Sequence, residues 1–277
     1  MLIDKLTHKK SLAELWHRVF GDSYSFIDLI FKPEYEKDIL CFGELDGEKA
    51  VSAFYLIKNK LKYEGKLYSG YYLYAAATLP EYRKSGFMSA LIKEAQVYCR
   101  ENGVDFISLV PSQESLYSYY ARFGFQSAMY RTVSNDCDVK KKTQISTAAS
   151  IDAEELGKIR KSYEGNIMLL EGASLSYAVD CFNASDVKIN RLSEDGCYIF
   201  SAEDNNIIEF ASSKENFAVN CEMLKSEVSE DVIISSPFEL EFCKCNNKKS
   251  YGMLYPININ LEREWSFTDI YMNLALD

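Results

Sequence analysis

The sequence is poor in histidine: only His8 and His17 occur among its 277 residues, and both precede every candidate site. This scarcity argues against a catalytic triad built on histidine and against a histidine-rich metal site. No apolar run approaches the roughly 18–20 residues that a membrane-spanning helix needs. The N-terminus also lacks the charged and apolar segments of a signal peptide. We therefore expect a globular, cytoplasmic protein without a metal centre.

The eight cysteines are scattered along the chain and form no recognisable framework. In a chain without an export signal, such cysteines are predicted to be reduced thiols. Cys243 and Cys245 lack a second cysteine pair or a nearby histidine, so a zinc site is not expected there.

Negative charge is concentrated in the second half of the chain. The formal net charge is -10, with a net charge of -1 over residues 1–139 and -9 over residues 140–277. Positions 51–100 differ, because they carry 8 basic and 3 acidic residues. An acidic protein repels nucleic acid and anionic membranes, so neither is expected as a partner. It tolerates a cationic substrate and can still present a local basic patch to a polyanion.

Helices and short apolar strands alternate in the first half. Their order predicts an α/β fold with a mixed, partly parallel sheet over residues 1–138, followed by a polar linker at 139–150. The predicted strands are 39–45, 50–58, 66–78, 106–110 and 125–133. The predicted helices are 10–20, 23–31, 87–101 and 113–123, the last with Ser112 as its N-cap.

The second half, residues 151–277, repeats part of this order. A hairpin is predicted from Cys197–Ala202 and Ile207–Ser212, followed by a helix at 214–226 and a strand at 231–236. The junction at 212–216 contains no glycine, which a loop that lets a phosphate approach its backbone usually needs. We interpret this half as a degenerate, ligand-free copy of the first, with chance similarity as the alternative.

The strongest chemical signal is Arg83-Lys84-Ser85-Gly86, between a predicted strand and a predicted helix. A glycine at a helix N-terminus leaves amide hydrogens unpaired, with the positive end of the helix dipole behind them. That arrangement receives a pyrophosphate, to which Arg83 and Lys84 add charge-assisted contacts. The alternative is an ordinary helix start with solvated basic residues.

The flanking residues resemble a known family. Thr78-Leu-Pro-Glu-Tyr-Arg-Lys-Ser-Gly-Phe-Met-Ser-Ala-Leu91 resembles motif A of the GNAT family of acetyl-CoA-dependent N-acyltransferases. Tyr119-Tyr-Ala-Arg-Phe-Gly-Phe125 resembles the end of that family's motif B. Met88 stands where the family usually has a small residue, a departure that is similar to the Eis-like branch, in which an active GNAT domain precedes a degenerate one. The resemblance is specific over about 70–130 and only architectural beyond 150, and the chain is too short to hold that branch's third, sterol-carrier-like domain in full.

This resemblance implies a V-shaped opening between the strands near 71–78 and 106–110 that receives acetyl-CoA. Amides of Ala76, Ala77 and Thr78 are expected to bond the pantetheine arm, and the loop and helix start are expected to hold the pyrophosphate. The implied cofactor contacts are Ala76, Ala77, Thr78, Arg83, Lys84, Ser85, Gly86, Phe87, Met88, Ser89, Ser115 and Leu116.

The resemblance also places Tyr120 at the position of the family's general acid. A tyrosine, with a pKa near 10, stays protonated at neutral pH and can donate to a thiolate whose pKa is near 8.5. The structural alternative is burial, since Tyr120 shares a helix stripe with Leu116 and Phe123. In Eis-like enzymes the terminal carboxylate serves as the base, which here is Asp277. Glu81 and Glu114 are other carboxylates near the motif, although a solvated surface position is favoured for both, and an ordered water is a further alternative.

The sequence thus leaves two hypotheses. The first is an acetyl-CoA-dependent N-acetyltransferase acting on a primary amine of a small, cationic acceptor that the acidic second half attracts. The second is a non-catalytic acyl-CoA-binding or interaction module with the same fold. Both leave a homo-oligomer open. We also expect some of Tyr71, Tyr72 and Tyr74, which lie on both faces of one strand, to line the acceptor channel.

Overall fold

The structure is a computed structural model that describes residues 1–139, 152–193, 197–202, 206–259, 266 and 269–272. The strands of the first half are β1 (Leu2–Ile3), β2 (Ile39–Asp46), β3 (Lys49–Tyr63), β4 (Lys66–Thr78), β5 (Phe106–Leu109) and β6 (Gln126–Cys137). Its helices are α1 (Lys9–Phe20), α2 (Tyr24–Ile27), α3 (Phe87–Glu101) and α4 (Glu114–Ala121). Short 3-10 helices occur at Asp28–Phe31, Pro33–Tyr35 and Pro80–Tyr82.

The second half contains further helices and strands. The helices are α5 (Ala153–Lys161), α6 (Gly172–Ala184) and α7 (Phe217–Glu227). The strands are β7 (Ile167–Leu169), β8 (Lys188–Ser193), β9 (Cys197–Ala202), β10 (Asn206–Ser212), β11 (Ile233–Ser236), β12 (Cys243–Pro256) and β13 (Ile270–Tyr271).

The described strands form one mixed sheet in the order β1-β2-β3-β4-β5-β12-β6-β11-β10-β9-β8. β12, from the second half, lies between β5 and β6 and pairs antiparallel with both. β7 and β13 link β3 to β6 outside this path. The predicted mixed α/β fold is confirmed. The division into residues 1–138 and 151–277 stays a prediction, and the two segments share this sheet.

Helices cover both faces of the first-half strands. On one face, α3 buries Leu91, Ile92, Ala95 and Cys99, whose three- and four-residue spacing places them on one side of the helix. They pack in a cluster with the α4 residue Tyr120. On the other face, α1 and α6 belong to a single core cluster drawn from both halves of the chain. The second half therefore completes the core of the first as well as its sheet.

Several predicted boundaries differ from the structure. Helix 23–31 divides into α2 and a 3-10 helix, and α4 begins after Gln113 without a side-chain cap, so Ser112 is not its N-cap. The last strand of the first half is longer than predicted and ends at Cys137. No helix among the described residues is long and apolar enough to cross a membrane.

The prediction that all eight cysteines are reduced is wrong, because Cys137 and Cys243 form a disulfide. They are 106 positions apart in the sequence, yet they lie opposite each other where β6 pairs with β12. Only the tertiary placement of β12 brings them together, so cysteine spacing carries no sign of it. The other six cysteines are free.

Candidate functional site

A wedge-shaped opening separates β4 from β5. The two strands run parallel and pair only from Gly70 opposite Phe106 to Tyr72 opposite Ser108. Gly70 is required there, since a Cβ at this position would lie 2.4 Å from the Phe106 ring. Beyond this short ladder a bulge inserts one extra residue into β4 relative to β3, and Ala75 within it has a φ of 51°. A bulge bends its strand, so β4 turns away from β5.

A cavity of about 520 Å³ opens at this wedge. Both halves of the chain contribute to its wall. The lining residues from the first half are Trp16, Phe20, Asp22, Phe26, Tyr72, Leu73, Tyr74, Ala75, Ala76, Leu109, Val110, Ser112, Leu116, Tyr120 and Arg131. Those from the second half are Cys181, Phe182, Ser185, Val187, Ile208 and Tyr251. Of the three strand tyrosines, Tyr72 and Tyr74 line this cavity and Tyr71 does not, and their place in an acceptor channel stays a prediction.

The loop before α3 is shaped to present backbone amides. Lys84 and Gly86 both have left-handed backbone conformations, with φ values of 64° and 86°. Gly86 is the N-cap of α3, and no side chain caps that terminus. The loop from Arg83 to Gly86 is exposed, and Phe87, Met88 and Ser89 in the first turn are half-buried. The uncapped first turn, with the dipole of a 15-residue helix behind it, is suited to a phosphate group.

The basic residues of this loop differ in their contacts. Arg83 donates from Nε to the carbonyl oxygen of Thr78 at 3.2 Å, which ties the loop to the end of β4. The Lys84 side chain is exposed, and none of the ion pairs among the described residues includes it. Ser89 lies 3.4 Å from the Tyr119 hydroxyl, so α3 and α4 meet beside the loop.

The predicted strand contacts are divided between the cavity and the sheet. Ala76 lines the cavity. Ala77 is buried and lies opposite Ala53 of β3, while Thr78 makes a 2.8 Å hydroxyl contact with Ser52. The Thr78 side chain and the backbone pairing of Ala77 therefore anchor β4 on β3.

Tyr120 is buried on α4 and lines the cavity. Its ring packs edge-on against Tyr119 at 5.2 Å and Phe125 at 5.8 Å. Burial, followed by the neighbouring Tyr119, raises the pKa of Tyr120 to about 12. Its hydroxyl is therefore protonated at neutral pH. Leu116, one turn earlier, also lines the cavity, whereas Ser115 is exposed and is not part of its wall.

Asp277 lies outside the described residues, so its predicted role as a base is untested. The last described residue before it, Met272, donates its backbone N–H to the carbonyl oxygen of Tyr130 at 2.9 Å. The neighbouring residue on β6 is Arg131, which lines the cavity. No group of potential metal ligands is found among the described residues.

Sequence reasoning missed most of the cavity wall, including its two charged residues, Asp22 and Arg131. Asp22 accepts a 2.7 Å hydrogen bond from Trp16 Nε1. The guanidinium carbon of Arg131 lies 4.8 Å from the centre of the Tyr251 ring. Tyr251 belongs to β12, which a sequence pattern does not place beside β6. Asp22 is next to Trp16 in the fold, but no spacing marks it as part of a site.

Residues 5–128 match the family model described as an acetyltransferase (GNAT) domain. The fold is GNAT-like. Eis1 from Mycobacterium abscessus superposes with a TM-score of 0.67 and 13% identity, over 93% of this chain and 73% of that one. A conserved protein from Enterococcus faecalis superposes with a TM-score of 0.65 and 15% identity, over 93% of this chain and 72% of that one. A GCN5-related N-acetyltransferase from Kribbella flavida superposes with a TM-score of 0.63 and 16% identity, also over 93% of this chain and 72% of that one. No match is found among curated proteins.

Proposed function

We propose that this protein is an acetyl-CoA-dependent N-acetyltransferase that acts on a primary amine of a small acceptor. The observation that carries the proposal is the cavity at the β4–β5 wedge, which has Tyr120 in its wall, with the uncapped N-terminus of α3 in the loop that follows β4. These features support adjacent sites for a pyrophosphate, a thioester and an acid, and residues 5–128 match the acetyltransferase (GNAT) domain model.

In the proposed complex, backbone amides from Lys84 to Ser89 hold the pyrophosphate of coenzyme A, with Arg83 and Lys84 supplying positive charge. The free edge of β4 around Ala76–Thr78 bonds the pantetheine arm and polarises the thioester carbonyl. Ser89 and Leu116 border this path. Ser115, which is exposed, is proposed as a contact only for the outer part of the coenzyme.

The proposed reaction is direct attack. The neutral amine nitrogen forms a bond to the acetyl carbon, the carbon–sulfur bond breaks, and the departing thiolate takes a proton from Tyr120. With a pKa raised to about 12, Tyr120 keeps this proton at neutral pH. The amine gives up its proton to a base, for which Asp277 stays our prediction, with water as the alternative.

The net charge of the acceptor is not part of this proposal. The expectation of a cationic acceptor depends on the acidic second half, but the residues that this half contributes to the described cavity wall are uncharged. The Eis-like assignment and the cytoplasmic location also stay predictions.

The first test is release of free thiol when the protein is mixed with acetyl-CoA and a panel of primary amines. Turnover with any amine supports the transferase, whereas tight coenzyme A binding without release across the panel favours the non-catalytic alternative.

A Tyr120→Phe variant is expected to lose about 100-fold in turnover and to keep its affinity for coenzyme A, because only the proton donor is removed. Tyr117→Phe is the matched control, since Tyr117 lies on the same helix but outside the cavity wall. An unchanged rate in Tyr120→Phe removes Tyr120 from the mechanism.

A further inference from the structure

Arg131 is a half-buried cation in the wall of a cavity that is lined mainly by aromatic and aliphatic residues. None of the ion pairs formed within the described part of the chain includes it. Its guanidinium group instead lies over the ring of Tyr251 at 4.8 Å. An aromatic ring offers the guanidinium no carboxylate or carbonyl oxygen, so this contact leaves N–H donors of Arg131 for an acceptor group.

The other lining residues do not balance this charge by direct contact. Asp22 is the one acid in the described wall, and its Oδ2 already accepts from Trp16 Nε1 at 2.7 Å. The remaining wall is mainly aromatic and aliphatic, with Phe20, Phe26 and Phe182 as examples. Arg131 would repel a polycationic acceptor, and among the described lining residues only Asp22 could attract it.

We propose that the amine acceptor carries a carboxylate, which Arg131 binds, and an apolar body that the aromatic wall encloses; an apolar amino acid has this chemistry. This inference rests on the proposed N-acetyltransferase function and specifies its acceptor. A guanidinium holds a carboxylate through two parallel N–H···O bonds, and in a largely apolar cavity such a charge-assisted pair is strong. Arg131 is then a specificity-determining residue, which acts on acceptor binding and has no part in the proton transfers.

The test compares acceptors that differ only in the carboxylate. Thiol release from acetyl-CoA is measured with phenylalanine, tryptophan and leucine, and with the amide of each. Wild-type protein is expected to prefer each acid over its amide by about 10- to 100-fold in kcat/KM, mainly through KM, as for loss of a charged hydrogen bond. Arg131→Gln should bring this ratio to about one, and Arg131→Lys should retain part of the preference because it keeps the charge but loses the fork.

Lys249→Gln is the matched control. Lys249 lies opposite Arg131 on β12, is exposed and is not part of the cavity wall, so its replacement removes the same charge from the neighbouring strand. It should keep the wild-type ratio. If the acids and amides react equally well, or if Arg131→Gln keeps the preference, the inference is overturned while the transferase stands.

If no acid or amide releases thiol, the proposed activity fails for these acceptors and a binding measurement decides the inference. Calorimetric titration of the same acids and amides into the protein with coenzyme A present is expected to show tighter binding of the acids in wild type and not in Arg131→Gln. Equal binding of acids and amides, or no binding of either, overturns the assignment of a carboxylate site.

Discussion

The strand pair β4–β5 in the first half and the strand pair β10–β11 in the second half have the same type of connection. In each, two parallel strands are joined by a helix, α3 or α7, and the first strand pairs antiparallel with the strand before it. Each first strand also carries a one-residue bulge just after its parallel ladder, at Ala75–Ala76 in β4 and at Ile208 in β10. The two regions can therefore be compared position by position.

Their interiors differ. The first opening holds the cavity and is bordered by alanines and by the loop at Gly86, whose φ is 86°. In the second, Phe217 at the start of α7 lies 4.6 Å from Phe238, just after β11, and 6.0 Å from Phe210 of β10. A buried hydrogen bond from Asn220 to Ser212, at 2.8 Å, joins the helix to the end of the strand. Side chains thus fill the second opening, whereas the first leaves room for a ligand.

A charged network strengthens the filled region. Glu209, next to the second bulge, is fully buried and accepts from Arg160 Nη1 at 2.6 Å and from the Tyr271 hydroxyl at 2.9 Å. Arg160 also donates to the carbonyl oxygen of Met168. These bonds connect α5, β7, β10 and β13. The comparison teaches that one chain path borders a cavity at the first wedge and is filled by side chains at the second, where only the bulge residue Ile208 reaches that cavity among the described residues of β10.

The largest effect that would sharpen this comparison is expected for Glu209→Ala. The change leaves the buried Arg160 charge without its carboxylate, so the free energy of unfolding should fall by about 3–5 kcal/mol. Urea unfolding followed by circular dichroism measures it. Glu215→Ala, which removes an exposed acid from the loop before α7, is the control and should change it by less than about 0.5 kcal/mol. A loss below about 1 kcal/mol for Glu209→Ala would show that this network does not hold the second half together.

The sequence predicts those parts of the fold in which the contacting residues lie close together along the chain. The hairpin strands, α3 with its buried stripe, and the helix between β10 and β11 follow from local periodicity and turn residues. The place of β12 between β5 and β6 does not, because it depends on pairing between segments more than 100 positions apart. For the same reason the Cys137–Cys243 disulfide was missed.

The candidate site divides in the same way. The loop at Gly86 and the position of Tyr120 can be predicted, because each lies in a short motif of consecutive residues. Asp22 and Arg131 are not, because they reach the cavity from elements that only the tertiary fold brings to β4. The loop before α3 is thus predictable from sequence, and the part of the cavity wall around Asp22 and Arg131 is not.

The next prediction contrasts the two helix starts. Gly86→Glu is expected to weaken coenzyme A binding by about 100-fold or more, because a carboxylate would face the phosphate at amides that favour an anion. Asn216→Glu makes the same charge change at the N-cap of α7, where φ is -100°, and should leave the affinity unchanged. Isothermal calorimetry gives both dissociation constants.

Gly86→Ala separates charge from backbone strain in that experiment. A Cβ at position 86 would meet nothing within 4 Å, so this variant tests the left-handed φ of 86° alone. It should lose less affinity than Gly86→Glu. Equal losses in Gly86→Glu and Asn216→Glu would mean that the two helix starts are equivalent and that coenzyme A does not use the first.

The smallest effect is expected at the bulges themselves. Ala75 has a φ of 51°, a left-handed conformation that costs an L-residue about 1–2 kcal/mol, whereas Ile208 at the second bulge is not among the residues with positive φ. Ala75→Gly removes this strain but adds backbone entropy to the unfolded chain, so it should raise the free energy of unfolding by less than about 1 kcal/mol. Ala211→Gly, in β10, is buried and has no positive φ, so it should lower that free energy by about 1 kcal/mol. Urea unfolding measures both changes. A rise in the free energy of unfolding for Ala75→Gly with a fall for Ala211→Gly would show that backbone strain is stored at the β4 bulge, and a fall in both variants would contradict it.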